Sequence, residues 1–326
     1  MRARVSAGTD RDDHGQIDDP QLDSLIAADE FFWLDVAAAS EREISALAAR
    51  FGWHPLAVED LINFRQRPKL DRYGDYMLIV FYGAGRRPDG TSKLIEVHLM
   101  VSGSYIITIR QAECSELDDL RRRFAAKPEA GEQYIVYSVL DTLTDTFFPV
   151  LSAVDDEIDE LELAIVNRPS DEQLQHLFGL RRGLVALRRV VTPQRDLAAR
   201  TMDEIRELPG LDPDTRDYYR DVYDQLIRIS DLIDSYRDLL SGAMDVYLST
   251  VSNRLNVIMK RLTIVATVFL PITALTGFFG QNFGVLVRYI QPLWAFLVYG
   301  VGGILMCTVI LLIWFRRSGF LDRGAP

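Results

Sequence analysis

The sequence contains few of the residues that build disulfide frameworks or soft-metal sites. Its two cysteines, Cys114 and Cys307, lie in a polar region and in an apolar run, so no disulfide framework is expected. Unpaired thiols fit a reducing cytosol. The four histidines are scattered along the chain, and with the cysteines they form no cluster that would select a soft metal ion.

An excess of basic charge is also missing. The net charge is -11, and the acidic residues lie almost entirely within about the first 250 residues. Such a chain is a poor partner for nucleic acid, whose phosphates require lysine and arginine. Carboxylates instead suit hard cations such as Mg2+. We find no phosphate-binding loop and no Ser/His/Asp arrangement, which points away from an enzyme.

The first residues lack the apolar core of a secretory signal peptide. Residues 1–23 are polar and rich in aspartate, and we predict a disordered tail there. Residues 24–130 instead mix strand and helix signals. Ser40 and Glu43 form a capping box for a helix that ends near Phe51, and Pro55 begins a short helix. Segments rich in Val, Ile and aromatic residues predict strands at residues 31–36, 76–82, 94–101 and 105–110.

Strand signals disappear after residue 132. Residues 131–212 are predicted to form long cytosolic helices, one over 134–166 and another over 171–207. A stalk helix follows at 213–261, and no proline interrupts the pattern between Pro213 and Pro271. A continuous helix from about residue 214 to 279 would be on the order of 100 Å long. Such a helix needs copies of itself to pack against. The predicted fold class is therefore α+β, with an N-terminal α/β domain and a helical stalk.

Two long runs near the C-terminus lack charged residues. Residues 262–279 and 292–315 are almost wholly apolar and long enough to span a bilayer. Lys260 and Arg261 precede the first run, and the basic tail 316–326 follows the second. The positive-inside rule places both of these ends, and so both termini, in the cytosol, with the loop 280–291 outside. Membrane lipid is therefore an expected partner.

A stripe of small and polar residues follows the long helix through the first span. Two helices cannot enclose a hydrophilic path, so several subunits would have to supply its walls. A spacing of three and four residues keeps the stripe on the side that faces a symmetric bundle axis. Ordinary packing through small residues is the alternative, but repeated carboxylates favour a cation path. We call it the axial stripe: Asp238, Gly242, Asp245, Ser249, Ser252, Asn256, Met259, Thr263, Ala266, Leu270, Thr273 and Gly277.

The end of the first span carries a recognisable motif. Residues 279–283 read Phe-Gly-Gln-Asn-Phe and resemble the Gly-Met-Asn motif of the CorA family of magnesium channels. Residues 219–224 and 245–249 resemble the stalk helix of that family, and residues 54–60 and 66–69 resemble its cytosolic domain. The similarity covers about residues 31–321. Together these motifs are specific, whereas a lone Gly-x-Asn would carry no weight.

The resemblance implies a funnel-shaped homopentamer in the plasma (inner) membrane that transports Mg2+. Gly280, Gln281 and Asn282 would form the pore mouth, with Asn282 as a ring of amide oxygens. Asp60 with Asp221, and secondarily Glu59 with Asp141, match the regulatory metal sites between neighbouring cytosolic domains. Cytosolic Mg2+ at these carboxylates would close the pore.

Two departures leave the transported ion open. Gln281 replaces the methionine of the motif, and the loop 283–291 carries Arg288 and no carboxylate. A basic ring at the mouth lowers the local concentration of cations. The related ZntB-type zinc transporters also vary this motif, so Zn2+, Co2+ or Ni2+ is an alternative substrate, with or without proton coupling. A membrane-anchored metal sensor that does not conduct is a third reading.

Overall fold

The computed structural model describes residues 2–6, 22–23, 26–27, 31–125, 132–204, 216–281, 284, 287–288 and 292–317. It contains two compact units, Met1–Asp245 and Val246–Pro326. The strands are β1 (Arg2–Ser6), β2 (Phe32–Ala37), β3 (Lys69–Tyr73), β4 (Tyr76–Arg86), β5 (Ser92–Ser102) and β6 (Tyr105–Arg110). The helices are α1 (Glu41–Phe51), α2 (Pro55–Ile62), α3 (Ser115–Ala125), α4 (Glu132–Asp145), α5 (Phe147–Asn167), α6 (Asp171–Glu204), α7 (Arg216–Phe279) and α8 (Leu293–Arg317).

The strands form one six-stranded sheet in the order β1-β2-β6-β5-β4-β3. Strands β2 and β6 pair in parallel, and the other neighbours pair antiparallel. The four central strands are almost continuously buried, which explains their unbroken apolar runs. On β2 and β6, the buried guanidinium of Arg110 donates to both carboxylate oxygens of Asp35, which also accepts from the Thr108 hydroxyl. This pairing satisfies a carboxylate inside the sheet.

The local signals of the N-terminal domain are confirmed. The Ser40 hydroxyl accepts from the Glu43 amide, and the Glu43 carboxylate accepts from the Ser40 amide, so the capping box fixes the start of α1. Gly52 ends the helix in the left-handed region at φ 66°. Pro55 occupies the first turn of α2, where its missing amide hydrogen costs nothing.

Two edge strands were not expected. The prediction of a disordered tail over residues 1–23 is wrong at Arg2–Ser6, which pairs antiparallel with β2; residues 7–21 lie outside the described residues. Strand β3 (Lys69–Tyr73) at the opposite edge was also missed. Edge strands gain their stability from backbone hydrogen bonds to one neighbour, and both of these segments are short, charged and without the Val- and Ile-rich runs of the other strands. The strand signal is therefore weak in both segments.

The single helix expected over residues 134–166 is instead two helices. Helix α4 ends at Asp145 and α5 begins at Phe147. Pro149 has no amide hydrogen to donate to the carbonyl of Asp145, and its ring crowds that carbonyl. The interruption falls where this hydrogen bond is missing, at Thr146. The next helix was expected to reach residue 207; α6 is described to Glu204, and residues 205–215 lie outside the described part of the chain.

Strand β4 extends beyond its neighbour β3, and helices cover the edge that this exposes. Pairing with β3 reaches Val80. Beyond it, the Tyr82 amide donates to the side-chain oxygen of the buried Gln194 on α6, 2.8 Å away. The Ala84 amide donates to the Thr146 hydroxyl at 2.8 Å. These bonds satisfy buried backbone donors and fix α6 and the α4–α5 junction against the sheet.

Gly83 is expected to be essential for this junction. A Cβ atom at Gly83 would lie 2.8 Å from the Thr146 hydroxyl oxygen and 3.3 Å from the Leu143 carbonyl oxygen. Gly83→Ala should therefore lower the free energy of unfolding by about 1–3 kcal/mol, the usual cost of overpacking. Gly85→Ala is the control, since its Cβ would meet the Ile95 side chain at 3.4 Å. Equal melting temperatures of the two variants would contradict the expectation.

Helix α7 contains 64 residues, as the absence of breakers predicted. Its N-terminal half places apolar residues at helical spacing inside the first unit: Tyr219, Val222, Leu226, Ile229, Ile233, Leu240 and Ala243 are buried. Only the part as far as Asp245 belongs to that unit. The stalk predicted over residues 213–261 is therefore divided, because its apolar stripe ends near this point.

Candidate functional site

All four predicted regulatory carboxylates lie on helices of the first unit. Helices α4 and α7 bring Asp141 and Asp221 together in one protomer. The side-chain amide of Gln225 donates to Asp141 at 3.0 Å and to Asp221 at 3.2 Å. The Tyr137 hydroxyl also donates to Asp221, at 3.2 Å. The resemblance had assigned Asp141 and Asp221 to different pairs, so their proximity within one chain is new.

The electrostatics of this cluster disfavour its negative charges when no cation is present. Burial raises the pKa of Asp141, and the nearby charges of Asp145 and Asp221 add to the increase. Burial and Asp221 also raise the pKa of Asp145. The side-chain oxygen of Gln225 is buried and has no hydrogen-bond donor. A cation would offset the repulsion and satisfy this oxygen.

The sequence analysis missed Tyr137, Asp145 and Gln225. Two spacings could have indicated them: Asp145 follows Asp141 by four residues, and Gln225 follows Asp221 by four. On a helix, such pairs lie on one face. Partners on two different helices cannot be matched from spacing alone, because that match depends on how α4 packs against α7.

Glu59 and Asp60 lie on α2. Glu59 is exposed, and Asp60 is half-buried with its carboxylate 2.6 Å from the Lys69 ammonium. Lys69 also contacts Asp71 at 2.8 Å. Burial alone would lower the pKa of Lys69, but hydrogen bonds to Asp60 and Asp71 outweigh it and raise that pKa. Lys69, which the sequence analysis overlooked, therefore neutralises Asp60 in the single chain.

Within one chain, these acidic groups do not complete a metal site. Across the described residues, no group of three or more His, Cys, Asp or Glu side chains is placed to hold a metal ion. Glu59 and Asp60 thus do not join Asp141 and Asp221 in a single protomer. A site that uses both sets needs residues from more than one chain.

Every residue of the axial stripe is exposed on the protomer. Met259 and Leu270, two large apolar side chains of the stripe, are 58% and 73% exposed. The hydroxyls of Thr263 and Thr273 donate to the carbonyls four residues earlier, at 2.8 Å and 2.9 Å. Their protons are thus occupied, and their oxygens offer lone pairs to anything that lies along the stripe. Cations or their bound waters are suitable partners for such oxygens.

The motif begins where α7 ends. The Gly280 amide donates to the Thr276 carbonyl at 2.9 Å, and the Gln281 amide donates to the Phe278 carbonyl at 3.3 Å. A Cβ atom at Gly280 would lie 3.1 Å from the Thr276 carbonyl oxygen, which favours glycine. Gln281 is exposed. Asn282 lies outside the described residues.

Among the described residues, two helices are long and apolar enough to cross a membrane. They are Asp217–Phe279, which contains the expected span 262–279, and Leu293–Arg317, which covers the expected span 292–315 apart from its first residue. Their most apolar windows have mean hydropathies of 2.0 and 2.5, and neither window is buried inside the protein. A core helix of a soluble domain would be covered, so these exposed surfaces fit a bilayer. The fold and these helices define the class: an α+β soluble domain joined by a long helix to two apolar C-terminal helices.

Comparison with known proteins gives the family. Residues 28–317 match the family described as CorA-like Mg2+ transporter protein. The chain is 33% identical over 301 residues to the cobalt/magnesium transport protein CorA of Thermotoga maritima, covering 89% of this chain and 83% of the relative. It is 26% identical over 265 residues to the zinc transport protein ZntB of Yersinia enterocolitica, covering 78% and 77% of the two chains. The chain belongs to the CorA-like family of membrane transporters.

A solved structure confirms the fold. The complete structure of the CorA magnesium transporter from Methanocaldococcus jannaschii aligns with a TM-score of 0.81 and covers 98% of this chain and 99% of its own, at 22% identity. The α+β architecture with two apolar C-terminal helices is thus the fold of a CorA structure. The family also fits divalent cation transport, since its named relatives are cobalt/magnesium and zinc transport proteins.

Proposed function

We propose that this protein is a divalent metal cation transporter, with Mg2+ as the main substrate, whose pore is formed by a homopentamer. The observation that carries the proposal is the axial stripe, which stays exposed on the protomer from Asp238 to Gly277. Five copies that turn this face to a common axis would line a path with hydroxyl, amide and small side chains. Met259 and Leu270 would narrow it and gate it by dewetting. Family membership supports this assignment.

Asn282 would form the pore mouth with Gly280 and Gln281. Mg2+ gives up its waters reluctantly, so neutral amide oxygens suit an ion that binds through its hydration shell. Neutral ligands also keep binding weak enough for release. With both termini in the cytosol, entry would be driven by the membrane potential, which is worth about 2.3 kcal/mol per charge per 100 mV.

Cytosolic Mg2+ would close the pore by binding between subunits. Asp141 and Asp221 share a partly buried cluster, and Asp60 with Glu59 lies on a separate helix of the same chain. Burial raises the pKa of Asp141, and the charges of Asp145 and Asp221 raise it further. A cation bridging Asp221 of one subunit and Asp60 of the next would relieve the part that comes from Asp221. Binding would then favour the tight, closed pentamer over the open one.

Lys69 should tune this regulation. Its ammonium forms an ion pair with the Asp60 carboxylate in the single chain. A metal cation must therefore displace the ammonium or share the carboxylate with it. Lys69→Gln should lower the Mg2+ concentration that half-protects the cytosolic domain from protease by about two- to fivefold, since a partly exposed pair is worth under ~1 kcal/mol. Lys93→Gln removes the same charge from β5 and should leave the midpoint unchanged. A higher midpoint in Lys69→Gln would show that Lys69 supports the metal site.

A zinc transporter is the second candidate. The similarity to a zinc transport protein supports it, as do Gln281 and Arg288 in this sequence. Co2+ or Ni2+ would use the same scaffold. A sensor that binds metal without conducting it would leave the exposed polar stripe without a role.

Metal uptake into proteoliposomes separates these candidates. The protein would be reconstituted with a metal-sensitive dye inside and supplied with Mg2+, Zn2+, Co2+ or Ni2+, with and without a pH gradient. We expect Mg2+ uptake that follows the membrane potential and ignores the pH gradient. Zn2+ uptake that requires the pH gradient would establish the second candidate, and absence of any uptake alongside metal binding would establish the sensor.

A further inference from the structure

An apolar cleft lies between the end of α7 and the beginning of α8. Its volume is about 430 Å³. It is lined from α7 by Leu275, Thr276 and Phe279, and from α8 by Phe296, Tyr299 and Gly300. The Thr276 hydroxyl donates to the carbonyls of Ile272 and Thr273 within its own helix. The cleft therefore suits an apolar chain rather than a polar solute.

An irregular segment of α8 lines one wall of the cleft. Residues Phe296–Gly302 form a π-helical segment, which widens the helix locally. Gly300 lies within this segment and lines the cleft without a side chain. A Cβ atom there would meet the Phe296 ring at 3.6 Å, an ordinary contact distance. Glycine is thus not required by crowding at this position, and a side chain placed there would extend into free space.

The position of the cleft on α7 indicates what fills it. At 100° per residue, Leu275 and Phe279 lie nearly opposite the axial stripe on α7, whereas Thr276 and Gly280, which also line the cleft, lie closer to the stripe. If the stripe faces the axis of the proposed pore, neighbouring copies cover that side. The part of the cleft lined by Leu275 and Phe279 then faces away from the axis, where the bilayer supplies acyl chains.

The short connection between the two helices offers a partner for a lipid headgroup. Arg288 is exposed, and the connection 280–291 contains no carboxylate to neutralise it. Trp294 is 60% exposed at the start of α8, as interfacial aromatic residues are. We propose that the cleft binds one acyl chain of a phospholipid whose phosphate pairs with Arg288. This inference rests on the proposed pore, and the lipid would support the end of α7 that carries Gly280 and Gln281.

Native mass spectrometry of the full-length protein tests this site. The protein would be stripped of lipid in neutral detergent and then titrated with dioleoyl phosphatidylglycerol. The wild type should retain the phospholipid, whereas Gly300→Leu should lose most of it because leucine fills the cleft. Ile304→Phe, at another lining position, should have the same effect. Gly303→Leu is the matched control, since Gly303 lies outside the cleft lining and a Cβ there meets nothing within 4 Å.

A second comparison tests the phosphate contact. Dioleoylglycerol has the same chains without a phosphate, so the wild type should retain it less well than the phospholipid. Arg288→Ala should remove that difference. Equal phospholipid retention by wild type, Gly300→Leu and Ile304→Phe would overturn the proposal. So would loss of subunit assembly in Gly300→Leu with lipid retention intact, since a second copy would then fill the cleft.

Lipid retention is measured by mass spectrometry without any transport step. The lipid-site proposal and the pore proposal can therefore fail independently. If metal uptake fails but lipid retention still depends on the cleft, the pore proposal is wrong and the lipid-site proposal stands. If metal uptake is normal but Gly300→Leu does not change lipid retention, the lipid-site proposal is wrong and the pore proposal stands.

Discussion

Replacing Asn282 with alanine should reduce metal uptake to the level of protein-free liposomes. The proposed mouth holds a hydrated cation through a ring of amide oxygens, and alanine removes every oxygen of that ring at once. A hydrated divalent ion then has no group to replace its contacts with bulk water as it enters. The stalk and the cytosolic core do not include this residue, so the variant should assemble normally. Uptake in proteoliposomes and the oligomer mass in detergent would be measured together.

Asn253→Ala provides a matched control. It removes the same side chain from an exposed position on α7 that is not part of the axial stripe. This variant should transport at the wild-type rate. Undiminished uptake by an assembled Asn282→Ala variant would exclude Asn282 from the pore mouth. Equal loss in both variants would mean that removing an amide side chain disturbs the fold instead.

Replacing Asp221 with alanine should raise the Mg2+ concentration that half-protects the cytosolic domain from protease by about tenfold or more. Loss of a charged hydrogen-bonding partner typically costs about 1.5–3 kcal/mol, and tenfold corresponds to about 1.4 kcal/mol. Asp221 is the acceptor that joins Tyr137 and Gln225 to the acidic cluster. Its removal deletes both the proposed metal ligand and the repulsion that a metal would relieve.

Asp231→Ala distinguishes this effect from a general loss of negative charge. Asp231 is exposed on the same helix, ten residues further along, and is not a member of the cluster. The Mg2+ concentration that half-protects Asp231→Ala from protease should match that of the wild type. Unchanged protection of Asp221→Ala at the same Mg2+ concentrations would reject the regulatory site while leaving the pore proposal intact.

The sequence predicted most helices and central strands because their signals are local. The capping box at Ser40 and the buried apolar runs of β4 to β6 specify structure without reference to distant residues. Strands β1 and β3 were missed because they gain their hydrogen bonds from one partner strand. Pro149 was a local signal for the break between α4 and α5 that the apolar periodicity concealed.

The candidate site was predicted less completely than the fold. The resemblance to a family paired Asp60 with Asp221 and Glu59 with Asp141 as regulatory positions. The structure brought Asp141 and Asp221 together through Gln225 and placed Lys69 on Asp60. Of these contacts, sequence spacing alone predicts only the one between Asp221 and Gln225, which lie four residues apart on one helix.

By itself, the sequence determined the two spans, the unbroken length of α7 and the existence of a polar stripe along it. Hydropathy, the absence of breakers and helical periodicity are properties of consecutive residues. They can be recognised without knowing which distant segments pack against them. Only the tertiary structure decided that the stripe remains exposed, that Asp141 on α4 lies beside Asp221 on α7, and that a cleft opens between α7 and α8. Those features depend on which faces of distant segments pack together, and packing is set by the whole chain.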